Sequence, residues 1–186
     1  MKKVFLTMAV AATMTAAAQG LPVKEDGSYE VKEVVVTDSA SAQELYDRAM
    51  IALSKWSDGN VEKNLDYHDR DAGTMIYKGI HSLGFKNVFL GDGWERYMNY
   101  TLKVRCKDGK AQVTVTVPTL LFVYNKNGVK RTYTTAQMNV TVMSEKGKKR
   151  ERGEAILAEI KSYSESMVMA MKNELMKKGM VDDDDF

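Results

Sequence analysis

Two histidines, His68 and His81, and one cysteine, Cys106, are the residues of this 186-residue chain best suited to nucleophilic, acid–base or metal chemistry. Asp66, His68, Asp69 and Asp71 make an oxygen-and-nitrogen cluster of a kind that divalent cations use. Strand alternation puts Asp66 and His68 on one face. Asp69 and Asp71 instead belong to the turn Asp69-Arg-Asp-Ala-Gly73, where aspartate is favoured for hydrogen bonds to its own backbone, so no metal site is expected. His81 adjoins Ser82 without the Gly-x-Ser-x-Gly elbow that would expose a nucleophile. Gly91-Asp-Gly93 lacks the rest of a dinucleotide fingerprint. Met167, Met169, Met171 and Met176 carry soft thioethers that suit copper(I), but Met167 and Met171 sit on a helical packing stripe, which makes them core filling. Cys106 follows Tyr100, Leu102 and Val104 at every second position, as a buried strand residue does, and a lone thiol makes no intrachain disulfide. No catalytic residue, cofactor or metal is expected.

The charge balance narrows the partners. Lys2 and Lys3, an uncharged run from Val4 to Ala18 and the small residues Ala16-Ala17-Ala18 before Gln19 have the layout of a secretory signal peptide over residues 1–18. The run is too short and too rich in Ala and Thr for a membrane anchor, and no lipid-attachment cysteine follows it. Without Lys2 and Lys3 the chain has 25 basic and 25 acidic residues and is formally neutral. Nucleic acid therefore loses its main electrostatic attraction and is not expected as a partner. The cluster Lys146, Lys148, Lys149, Arg150 and Arg152, interrupted by Gly147 and Glu151, reads as a solvated loop.

The elements that must position any site form one α+β domain over residues 29–180, after a polar lead at 19–28 and before an acidic tail at 181–186. Tyr29 to Thr37 reads as a strand. Ser41 and Glu44 have capping-box spacing before a helix from Ala42 to Trp56, whose stripe is Leu45, Ala49, Ala52, Leu53 and Trp56. Strands are predicted at Val61 to His68 and Thr74 to His81, with Gly84 to Tyr97 harder to assign. Met98 to Cys106 and Ala111 to Val123 form a hairpin across Asp108-Gly109, and Asn125 to Gly128 turns into a further strand from Lys130 to Met143. A long helix from Arg150 to Lys178, with the stripe Ile156, Ile160, Tyr163, Met167, Met171 and Leu175, ends at Gly179. Both helices then cover one face of an antiparallel sheet in a two-layer sandwich.

Glu44-Leu-Tyr-Asp-Arg-Ala49, Asp69-Arg-Asp-Ala-Gly-Thr-Met-Ile-Tyr-Lys-Gly79 and Tyr100-Thr-Leu-Lys-Val-Arg-Cys-Lys-Asp-Gly-Lys110 together resemble the domain of unknown function with a TBP-like fold found in exported proteins of gut Bacteroidetes. The resemblance runs from about Tyr29 to Val117. It departs after the Asp-Gly turn, where Lys110-Ala111-Gln112 stands in place of an aromatic Arg-Tyr pair. It implies a TBP-like β-α-β-meander-α fold and a bacterial envelope setting, and no catalytic residue comes with it.

The feature left for function is a polar sheet face: Thr101, Lys103 and Arg105 on one strand, Gln112, Thr114 and Thr116 on the next, Gln137, Asn139 and Thr141 on a third. Such side chains hydrogen-bond a glycan, a peptide or a lipid headgroup. The expectation is a non-catalytic binding or interaction module in the periplasm or at the cell surface. The alternative is a structural or assembly component that recognises another envelope protein, possible through an unpaired strand edge, with a hydrolase third.

Overall fold

The computed structural model describes residues 20–57, 61–89 and 92–177. The signal peptide, the acidic tail and the helix stop at Gly179 expected from sequence lie outside them. Tyr29–Val36 forms β1 and Ala42–Trp56 forms α1. A single turn, α2 (Val61–Asn64), leads into β2 (Leu65–Asp69), so the strand expected from Val61 is helical for its first half. Next come β3 (Thr74–Phe89), β4 (Asp92–Lys107), β5 (Lys110–Tyr124) and β6 (Lys130–Thr134), then α3 (Thr135–Ser144) and α4 (Gly147–Leu175).

Every strand pairing is antiparallel, in the order β1-β5-β4-β3-β2, with β6 beside β5 where β1 has ended. The β4–β5 hairpin closes on Asp108-Gly109, with Lys107 opposite Lys110 and Gly109 at φ 73°, the left-handed residue such a tight turn needs. On the inner face Met98, Leu102, Val104, Val113, Val115 and Val117 are fully buried. Leu45 and Leu53 of α1 and Ile160, Met167, Met171 and Leu175 of α4 complete this core. Each such side chain contributes about 1.5–3 kcal/mol on burial.

The last strand assignment is corrected. Lys130 to Met143 is not one strand: β6 stops at Thr134, whose hydroxyl accepts from Gln137 N while the Gln137 side chain accepts from Thr134 N, a reciprocal cap that starts α3. Thr135, Met138 and Val142 then face the core at helical spacing. The alternation of Met138, Val140 and Val142 with polar residues imitates a strand by composition alone, and Val140 is 70% exposed. At α1 the opposite holds: Ser41 caps Glu44 N, but the Glu44 carboxylate turns to Arg48 and leaves the box half-made. The helix predicted from Arg150 begins at Gly147, so Lys148, Lys149, Arg150 and Arg152 lie in its first turns and not in a loop. Residues ahead of β1 are tied down as well. Leu21 is buried, and the Asn139 side chain accepts from Leu21 N (3.2 Å) and donates to Leu21 O (2.6 Å).

Gly79 lies opposite Tyr100 in the β3–β4 pairing, and the buried Tyr100 ring covers it so closely that a Cβ there would overlap the ring. Gly79→Ala must displace Tyr100 from the core and is expected to cost about 1–3 kcal/mol in urea unfolding; an unchanged midpoint would show that the ring is not fixed there.

Candidate functional site

The sequence-predicted chemistry is mostly spoken for by structure. Asp66 pairs with Lys78 at 3.0 Å, and Asp69 Oδ1 accepts from Ala72 N at 2.9 Å within its turn. Among the described residues no group of three or more His, Cys, Asp or Glu is placed to hold a metal ion. His81 stacks on Tyr163 with ring centroids 3.8 Å apart, and its Nε2 is 3.8 Å from Glu159 Oε1. Burial holds its pKa below the usual imidazole value, with Glu159 acting in the opposite direction. Ser82 Oγ accepts from Gly84 N.

Six of the nine polar-face residues do come together. Thr101 faces Thr116, Lys103 faces Thr114 and Arg105 faces Gln112 across β4 and β5, on the side away from the helices. With Glu30 and Lys32 of β1, four of them border a depression of about 170 Å³ that has no apolar floor. The other three residues are corrected to α3. Gln137 caps that helix, Asn139 clamps Leu21, and Thr141 donates to Gln137 O and lines a different cavity.

That cavity is a cleft of about 320 Å³ between the far end of the sheet and the helices. Two cross-strand rows form its sheet wall: Arg96 of β4 beside Phe122 of β5 beside Arg131 of β6, and Lys86 of β3 beside Trp94 of β4. Tyr133 packs edge-on against Phe122, and Arg131 Cζ lies 5.0 Å from the Trp94 ring centroid. Met138, Thr141 and Val142 of α3 and Lys149, Arg152 and Ile156 of α4 form the opposite wall, with Glu145 between the two helices.

Two bulges put these residues on the inner face. Strand side chains alternate, so one extra residue exchanges the two faces. Between Ser82 and Phe85 β3 gains a residue relative to β4, with Gly84 at φ 77°; Leu83 faces the core before it, and Lys86 faces the cleft after it. Beside Pro118 β5 does the same, so the inward series Val113, Val115, Val117 continues as Leu120 and Phe122. Uniform alternation hides this site, and the signals that reveal it are Gly84 and Pro118 inside strand patterns.

The electrostatics are one-sided. Lys86, Arg96, Arg131, Lys149 and Arg152 border the cleft against one carboxylate, Glu145. Lys149 lies 3.9 Å from Glu145. Among the described residues no carboxylate forms an ion pair with the other four cations. Arg96 Nε donates to Gly84 O at 3.3 Å, and burial holds its guanidinium pKa below the usual value, with the Glu159 carboxylate acting in the opposite direction. Two other concavities are larger, at about 620 and 530 Å³, but their cations Arg48, Lys177 and Lys78 are already paired with Glu44, Glu174 and Asp66.

Residues 32–119 match the family described as a domain of unknown function (DUF4468) with TBP-like fold. Among solved structures the chain is similar to a DUF4468 family protein from Bacteroides ovatus, with 18% identity, 86% of this chain and 92% of that chain covered, and a TM-score of 0.58. It is also similar to a TBP-like protein from Parabacteroides distasonis, with 13% identity, 82% and 97% covered, and a TM-score of 0.53. No curated protein matches the chain. Lys86, Trp94, Arg96 and the β5 bulge fall inside the matched stretch, whereas β6, α3 and α4, which complete the cleft, lie beyond it.

Cys106 is buried, and burial pushes its thiol up to about 11. The folded protein should resist iodoacetamide at about pH 8 and react fully once unfolded. The folded pKa is raised above the unfolded 9.0, so the thiol's contribution to stability is complete below about pH 9 and falls as pH rises toward about 11. Rapid alkylation of the native protein would refute this placement.

Proposed function

We propose that this chain, which over residues 32–119 carries the DUF4468 domain with its TBP-like fold, is an exported non-catalytic binding module of the bacterial envelope and that its ligand occupies the cleft between β3–β6 and α3–α4. The observation that carries the reading is the joining, in one concavity, of an aromatic and aliphatic floor with four cations that no described carboxylate pairs. Small-molecule sites combine such a floor, which supplies burial, with a few polar groups that orient the ligand. The outer depression around Arg105 and Gln112 also holds cations, Lys32, Lys103 and Arg105 beside Glu30, but no apolar side chain lines it, so it offers charge and hydrogen bonds without burial. The burial of Cys106 and the stacking of His81 on Tyr163 support a non-catalytic role. The export reading rests on the layout of residues 1–18 and on the envelope setting that the family resemblance implies. Among the described residues no helix is long and apolar enough to cross a membrane.

Recognition of another envelope protein is the second reading, favoured by β1: among the described strands it pairs with β5 alone, and Val34 and Val36 are 53% and 70% exposed. A thermal-shift screen against glycan fragments, short peptides and amphiphilic small molecules separates the two, because a ligand of the folded state raises its stability. Hits are expected to lose their shift in Trp94→Ala and to keep it in Arg105→Ala/Gln112→Ala. The reverse pattern would move the site to the outer face, and an absence of hits together with a co-purifying protein lost on Val36→Lys would favour assembly.

A further inference from the structure

We propose that the cleft selects an anionic amphiphile: a small molecule with an apolar ring or chain and one acidic headgroup. The inference rests on the cleft being the binding site and adds the chemistry of its occupant. The cavity, about 320 Å³, is at the lower end of the range of about 300–1,000 Å³ for small-molecule sites, so the body is compact. Phe122, Met138, Val142 and Ile156 offer it no hydrogen bond and favour a hydrocarbon surface. The charges are arranged above this floor. In the cross-strand row Arg96–Phe122–Arg131 an arginine occupies the position on either side of Phe122, and Lys86 is next to Trp94 in the adjacent row.

A chain whose residues beyond 18 are formally neutral has thus gathered five cations and one carboxylate around a single concavity. The carboxylate, Glu145, already has Lys149. Arg96 is partly buried with a carbonyl as its hydrogen-bond partner, so a headgroup oxyanion there would replace lost hydration with a charge-assisted bond. A neutral ligand would leave Lys86, Arg131 and Arg152 without an ion-pair partner and Arg96 with only the field of Glu159, and a cationic one would be repelled. Carboxylate, sulfonate and phosphate monoester headgroups share the required chemistry.

Calorimetric titration of the full protein with naphthalene-2-sulfonate, naphthalene-2-sulfonamide, decanoate and decanamide separates charge from body shape. Each anion is expected to bind at least tenfold more tightly than its near-isosteric neutral partner. That preference should shrink in Arg131→Gln, an exposed position whose replacement leaves the core intact, and further in Arg96→Gln/Arg131→Gln. Added sodium chloride should weaken the anions only. The sulfonate–decanoate comparison decides between ring and chain. If anion and amide bind equally, and both are lost in Trp94→Ala, the charge inference is overturned while the cleft remains the site. If none of the four binds, the inference fails, and the thermal-shift pattern across Trp94→Ala and Arg105→Ala/Gln112→Ala judges the cleft separately.

Discussion

Side chains on a strand alternate between two faces, and this protein breaks that alternation on both strands flanking β4 while β4 itself keeps it. Near the Asp108-Gly109 turn the inner faces of β3, β4 and β5 are uniformly apolar and lie under α1 and α4. Beyond Gly84 and Pro118 the inner face of β3 and β5 belongs to the opposite set of positions. The near half of the sheet is therefore core and the far half is a basic, aromatic wall. Were the same residues paired without either bulge, Phe85 or Leu121 would fall inside and Lys86 or Phe122 on the outer face.

The helices follow from that division. At 1.5 Å per residue the 29 residues of α4 run about 43 Å, enough to cross the sheet. Its C-terminal two-thirds carries the buried stripe from Ile156 to Leu175, while its first turns carry Lys149 and Arg152 beyond the core. α3 covers the rest, and the close approach of Gly153 to Val142 locks the two helices together. Asn139 extends the arrangement to Leu21, so residues ahead of β1 also brace the cleft.

Much of the fold was legible because its signals are local. The Leu45–Trp56 stripe, the Asp108-Gly109 turn and the alternation through Cys106 each specify an element from a few neighbouring residues. The same logic failed at residues 135–143, where alternating Val and Thr imitated a strand; the Thr134–Gln137 cap was the competing local signal and it prevailed. The candidate site was harder to read because it depends on register. Thr101, Lys103, Arg105, Gln112, Thr114 and Thr116 share one face as alternation alone predicts, since no bulge lies between them. Lys86, Trp94, Arg96, Phe122 and Arg131 are spread over 45 positions of sequence, from Lys86 to Arg131, and meet only through cross-strand pairings and after both alternations have switched.

The central claim is that ligand enters between Trp94 and α3–α4. The chain has two tryptophans, and they report on different places: Trp56 Nε1 donates to Tyr163 Oη at 3.0 Å in the aromatic cluster beside the core, and Trp94 stands in the cleft wall. The most direct measurement is the indole N–H pair in a proton–nitrogen correlation spectrum during titration with naphthalene-2-sulfonate. The account predicts a saturable shift of the Trp94 signal with Trp56 unmoved. A shift confined to Trp56 or to the amides of Thr101–Arg105 and Gln112–Thr116, with Trp94 silent, would contradict it.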